Sequence, residues 1–241
     1  MAYTLQVAGF GLAFFLVAWL QGRGLQSLMG TAREPADRGA AALLSIPAGI
    51  GLLALTLFVL AAFGCLDIPC ILIVVSLVTL LSGFLVYREL LRRGETPWQS
   101  VKQQLASTGW LYALLCLCAV PIFLAALGPP LQWDEVSYHL PYAREYLEAG
   151  GLTVAEHLRF PLHSHHYQLL YAAALMFSTE AGAHLIHAFS GALVALGTWY
   201  FGRTFFSPLS GVVAALLYLT FIGGMLDTAY VDLGLGLFLF Y

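Results

Sequence analysis

Residues 70–87 read CILIVVSLVTLLSGFLVY, a run without a charged side chain. A bilayer core about 30 Å thick is crossed by about 20 apolar residues in helical form, so the run is read as a membrane span. The strict alternation of a transmembrane strand is absent. Working outward, residues 3–20 and 41–63 before it, and 109–127 and 182–201 after it, repeat the signature, and 209–222 is a shorter version. Composition points the same way: 60% of the 241 residues are hydrophobic, 10% are charged, and the mean hydropathy is +0.83. That excludes a disordered chain and suits lipid better than water. The predicted fold class is all-α, a polytopic transmembrane helical protein.

Charge placement gives the expected topology. Arg23, Arg33, Arg38, Arg88, Arg92, Arg93, Lys102 and Arg203 fall in three connections that alternate with the others, and the positive-inside rule puts these in the cytoplasm. Arg144 and Arg159 are left for the opposite side, together with Asp134, Glu135, Asp227 and Asp232. No basic face suited to nucleic acid is present. The first segment lacks a basic head and a small-residue cleavage site, and is read as a retained helix. The expected location is the plasma (inner) membrane, multi-pass, with the acidic loops extracytoplasmic.

Residues 1–99 read as a three-span block with short loops. Residues 100–241 read as a second block, with outer loops at about 128–182 and about 223–232. In the first outer loop Val136, Leu140, Ala143 and Leu147 recur at helical spacing, which predicts a helix lying on the membrane surface. Pro141 fits its first turn, placing the start near Tyr138, and Gly150 and Gly151 end it. Residues 167–177 are too short to span and are expected to lie at the outer interface or dip into it. The final run, 231–241, offers about 17 Å of helix. It ends in mid-membrane, so a longer polypeptide is expected.

Asp134 and Glu135 are the first chemical candidates, because ionisable groups at the end of a span are costly unless wetted or paired. The competing reading makes Asp134 a helix cap. Asp227 and Asp232 form a second acidic site, with the alternatives of a solvated loop acid and a capping acid. The stretch HSHH offers His163, His165 and His166 as a metal option, without the i, i+4 spacing of a helical zinc motif. His184 and His187 sit one turn apart at the top of a span and lack partners for haem. Cys65 and Cys70 flank a tight outer turn and read equally as a disulfide or as free thiols; Cys116 and Cys118 read as packing residues.

The segments WDEVSYHLPYAREYLEAGGL, FPLHSHHYQLLYAAALMF, LIHAFSGALVALGTWYFGRTFFSPLSGVVAALLYLT and DTAYVDLGLGLF resemble, in order and acid placement, the N-terminal module of the GT-C superfamily, the polytopic glycosyltransferases that use lipid-linked sugars. The superfamily includes the protein O-mannosyltransferases and the aminoarabinose transferase of lipid A. The resemblance covers roughly residues 109–241, and three spans precede it here where the best-known members have one. It implies loop helices lying on the membrane and a polyprenyl-phosphate sugar donor. The acceptor would be a lipid, glycan or protein. It matches Asp134 to the essential aspartate of the first outer loop, Glu135 to the second member of the doublet, and Asp232, then Asp227, to the second acidic site. Arg159, with Arg144 in reserve, would hold the donor phosphate, and Tyr138 and His165 would line the substrate site. No cofactor is expected, and a divalent metal stays open. The alternative reading is a non-enzymatic membrane protein that binds a cation or lipid, or an inactive truncated relative.

Overall fold

The computed structural model describes all residues except 31–37, 95, 97, 100–101, 103–105, 107–119, 122 and 162–165. Among the described residues there is no strand. The helices are α1 (Ala2–Met29), α2 (Arg38–Ala62), α3 (Ile68–Arg92), a π-helical turn (Glu135–His139) continuing into α4 (Leu140–Ala149), α5 (His166–Phe177), α6 (Glu180–Phe205), α7 (Pro208–Ile222), a 3-10 turn (Gly223–Met225) and α8 (Asp232–Phe240). Five segments are long and apolar enough to cross a bilayer: Ala2–Met29, Ala40–Ala62, Ile68–Arg92, Glu180–Phe205 and Pro208–Met225. The fold is that of an all-α polytopic membrane protein. The span expected at 109–127, with Cys116 and Cys118, falls largely outside the described residues.

Local chemistry sets the helix ends. Asp67 caps α3 by accepting the Cys70 N–H at 2.8 Å, with Pro69 in the first turn, where no intrahelical partner is lost. Ser207 caps α7 in the same way, accepting the Ser210 N–H at 3.0 Å ahead of Pro208. Cys65 and Cys70, on either side of the α2–α3 turn, are free thiols.

Close backbone approach joins the spans. A Cβ on Gly22 would collide with the Ser45 carbonyl, and one on Gly49 with the Ala18 carbonyl, so α1 and α2 touch main chain to main chain. Gly202 and Gly211 do the same for α6 and α7. Small residues at the seam are the membrane solution, because lipid supplies no hydrophobic force to drive helices together and dispersion contacts must do so.

The composition boundary near residue 99 is not a packing boundary. One core takes Phe14 and Ala18 from α1, Ile50, Leu53 and Leu57 from α2, Leu140 and Tyr142 from α4, Leu169 to Ala174 from α5 and Leu237 from α8. Phe15 meets Phe189, and Leu43 packs with Leu196 and Trp199, so α1 and α6 run in one direction with α2 against them. Arg23, Arg88, Arg92, Arg93 and Arg203 therefore lie toward one end of the bundle. Asp67, Asp134, Glu135, Asp227 and Asp232 gather at the other. At that acidic end two main-chain bonds clasp the α2–α3 turn to the end of α4: Leu66 N–H to the Gly150 carbonyl at 2.9 Å and Leu152 N–H to the Ala61 carbonyl at 3.0 Å.

Two expectations need correction. Helix in the first loop begins at Trp133 rather than near Tyr138, and the π-turn shifts its face. Leu140, Tyr142, Ala143 and Tyr146 are buried, Leu147 only partly so, while Val136 is 46% exposed. A π-turn adds one residue to a turn, which rotates everything before it out of α register. Residues 167–174 of α5 are all buried in protein, so that stretch rests on neighbouring helices and not on lipid.

Candidate functional site

Glu135 stands at the centre of the acidic end and is fully buried. It is the third residue of the helix that starts at Trp133, and its Oε2 reaches back to the Gln132 N–H at 3.4 Å, half of a capping box. Its Oε1 accepts the Ala229 N–H at 2.8 Å and also lies in hydrogen-bond contact with His184 Nε2. His184, likewise buried, places Nδ1 3.1 Å from the Ala126 carbonyl. A carbonyl only accepts, so Nδ1 carries a hydrogen. One proton is then shared between Glu135 and His184, and the pair is neutral wherever that proton sits, which is what lets two ionisable groups occupy the core. Burial alone would raise the Glu135 carboxyl; the hydrogen bond and charge of His184, with the Ala229 and Gln132 N–H groups, outweigh it and hold the carboxyl below its ordinary 4.5. Removing one member of such a pair costs about 3–5 kcal/mol.

One turn along α6, His187 receives the Leu233 N–H on Nε2 at 3.2 Å. Its hydrogen therefore sits on Nδ1, 3.4 Å from the Thr228 hydroxyl, which itself donates to the Met225 carbonyl at 3.0 Å. Tyr171 of α5 donates to the Tyr230 carbonyl. The connection from Met225 to Leu233 is thus fixed by α5, α6 and the π-turn together.

Asp134 is half-buried, has helical backbone angles and makes no capping bond, so the capping reading fails for it. Asp232 is exposed in the first turn of α8, whose N-cap is Val231. Two tyrosines connect these acids. Burial first, then the neighbouring Asp134 carboxylate one helical turn away and the charge of Asp232, push the Tyr138 phenol up to about 12. Tyr230 is raised by burial first and then by the nearby carboxylates of Asp134, Glu135 and Asp232. Segments almost a hundred positions apart in the chain therefore meet at one polar spot.

Arg159 lies beside it, its guanidinium 4.6 Å from the Trp133 ring centre and 5.9 Å from that of Phe160. Tyr138 packs edge-on against both rings. Arg144 is directed elsewhere, 2.7 Å from Glu180 at the start of α6. Asp227 is exposed in the turn before Thr228. His163 and His165 lie outside the described residues, and His166 is stacked on Phe58. Among the described residues no three potential ligands gather as a metal site. His139, Gln168, Tyr171 and Tyr230, with the histidines of α6, are the site residues that sequence reasoning missed. His139 Nδ1 accepts from the Gln168 amide at 2.9 Å. Two buried histidines inside an apolar span were the available signal, since such groups are rare in lipid without a role.

A protein of Shigella flexneri described as uncharacterised is 30% identical to this chain over 155 residues, 62% of this chain and 76% of that protein. The chain belongs to that protein's family. No family model and no solved structure matches it. The aligned length exceeds what the first three spans could supply, so part of the relationship extends into the acidic loops or the helices beyond them.

Proposed function

We propose that this protein is a membrane glycosyltransferase that moves a sugar from a polyprenyl-phosphate donor to an acceptor, with Asp134 as the general base. The observation that carries the reading is that the Asp134 and Asp232 segments come together, through the Ala229 N–H bond to Glu135 and the ring contacts of Tyr138, His139 and Tyr230, at the end of the bundle opposite Arg23, Arg88, Arg92, Arg93 and Arg203. A sugar linked to polyprenyl phosphate already has a good leaving group. Asp134 takes the proton of the acceptor hydroxyl as its oxygen attacks the anomeric carbon; the bond from that carbon to the phosphate oxygen breaks, and polyprenyl phosphate leaves with the electron pair. A single displacement inverts the anomeric centre, unlike a glycosidase, where two carboxyl groups flank the bond. The carboxylates of Asp134 and Asp232 favour the positive charge that develops at the sugar carbon.

The stacking of Arg159 on Trp133, next to Asp134, supports its part as the cation that meets the donor phosphate. Glu135 has both oxygens engaged in protein contacts, so its part is to position rather than to react. The positive-inside rule puts the acidic end on the extracytoplasmic face of the plasma (inner) membrane. Membranes carrying the protein, supplied with radiolabelled polyprenyl-phosphate sugars, test the reading. Asp134→Asn should lower transfer by about 10²–10⁴-fold, the range for loss of a general base. Undiminished transfer in an inserted, folded Asp134→Asn protein would overturn it.

A further inference from the structure

His184 and His187 take no part in the chemistry just described, yet both are fully buried in a membrane-spanning helix, where an unneeded imidazole is costly. Each contacts the chain next to a proposed site residue. His184 holds Glu135, the neighbour of Asp134, and through Glu135 it holds Ala229, the neighbour of Tyr230. His187 holds the N–H of Leu233, the neighbour of Asp232, and the side chain of Thr228. Among the described residues α5 also bonds both segments, through Gln168 to His139 Nδ1 and Tyr171 to the Tyr230 carbonyl, but α6 alone does so at the residues directly adjoining Asp134 and Asp232.

We infer that α6 is a ruler for the site: His184 and His187 are positioning residues that set the separation of Asp134 and Asp232. Three residues of helix place the two anchor points about 4.5 Å apart along the axis. An α-helix is stiff at that length, so the spacing passes to the two acids with little slack. The hydrogen-bond polarity also makes the two anchors non-equivalent. His187 must present a bare Nε2 to an N–H group, and His184 must present Nε2 to a carboxylate while Nδ1 donates to Ala126. A glutamine side chain can supply the contact made by Nε2 at either place, because its amide carries both an acceptor and a donor; a leucine can supply neither. As a role in sugar transfer the inference rests on the function proposed above, but the ruler itself is testable without activity.

The test uses the whole chain in lipid nanodiscs, with spin labels attached through p-acetylphenylalanine at Val136 and Leu235, both exposed. Electron-electron distance measurement then reads the spacing of the two segments. The distribution should be narrow in the parent and at least about twice as wide in His187→Leu and His184→Leu, with His187→Gln restoring the parent width. In the transfer assay, turnover at saturating donor should fall about 10- to 100-fold in His187→Leu, the scale expected for a misplacement near 1 Å, with a smaller change in KM, and recover in His187→Gln. If a leucine variant fails to insert, Thr228→Val, which removes the partner of Nδ1 and leaves the imidazole in place, should show partial broadening. An unchanged width in the leucine variants, or in Thr228→Val where it replaces them, or a glutamine variant as broad as the leucine one, would overturn the ruler. If the parent transfers no sugar while the widths behave as expected, the ruler stands and the proposed reaction falls.

Discussion

The basic half of the bundle and the acidic end join helices by the same two means in different proportions. In the basic half Gly22, Gly49, Gly202 and Gly211 bring main chains into contact, and two buried glutamines add bonds across the α1 seams, Gln21 to Thr79 and Gln26 to the Ala41 carbonyl. At the acidic end Glu135, His184, His187, Tyr171 and Thr228 reach across gaps with hydrogen bonds. Glycine contacts fix distance and carry no chemistry. Polar ties fix distance and orientation together, at the risk that losing one partner strands the other in a dry interior. The end that must hold two carboxylates in register is built mainly from the second kind.

The sharpest way to break this contrast is at the site. Asp134→Asn should remove transfer by about 10²–10⁴-fold while leaving the melting temperature of the purified protein within a few degrees, because the side chain is half-buried and caps nothing. Asn that abolished folding instead would mean that the acidic end is scaffold throughout.

The basic end should behave in reverse. Gly49→Leu drives a side chain into the Ala18 backbone, which has no flexible end to yield, so destabilisation of at least the usual 1–3 kcal/mol for overpacking is expected. Limited proteolysis in detergent reads it as earlier cleavage of the α1–α2 pair. A parent-like digestion pattern would show that the two helices can part without cost.

A third effect is smaller and depends on pH. Glu135 in the folded protein ionises below its ordinary 4.5, so its contribution is complete above that value and declines as pH falls through the lower folded value. Thermal stability in nanodiscs should therefore be flat from pH 7 to 5 as far as this group is concerned, and fall below about 4.5. Glu135→Gln should lose that acid-dependent decline and start from a lower plateau. A parent and variant with parallel profiles would show that the pair does not titrate with folding.

The smallest effect belongs to Arg144. Its bond to Glu180 is short, but the Arg144 side chain is half exposed, and such pairs contribute about 0–1 kcal/mol. Arg144→Ala should change neither melting temperature nor transfer by a measurable amount, whereas Arg159→Ala should weaken donor use. Equal losses in both would mean that the two cations at the acidic end share the donor.

The spans were legible because a bilayer imposes a length and a composition on any helix that crosses it, and residues 70–87 meet both. The gathering of basic residues at one end could be read from charge alternation. Asp134 and Asp232 were legible as candidates because acids are conspicuous in so apolar a chain. Their anchorage was not. Glu135 and His184 lie forty-nine positions apart, and nothing local in either stretch encodes the contact. The π-turn escaped because its one-residue insertion falsifies the 3.6 period that placed Val136 on the buried face, and α5 escaped because a helix apolar on all sides has no face to orient it. His184 and His187 were visible, but were weighed only as haem ligands and set aside, not as hydrogen-bonding struts.

The main-chain clasp between the α2–α3 turn and the end of α4 has a consequence for how this family can diverge. Leu66, Gly150, Leu152 and Ala61 are joined through N–H and C=O groups alone, so the bonds name no side chain; what limits the spelling is packing, since Leu66 and Ala61 are buried in the core and Gly150 holds a positive φ. Insertions and deletions are another matter: one residue gained or lost in either turn would throw donors opposite donors. Among relatives, both turns should hold their length and the glycines at 150 and 151, and vary at exposed positions such as Leu152.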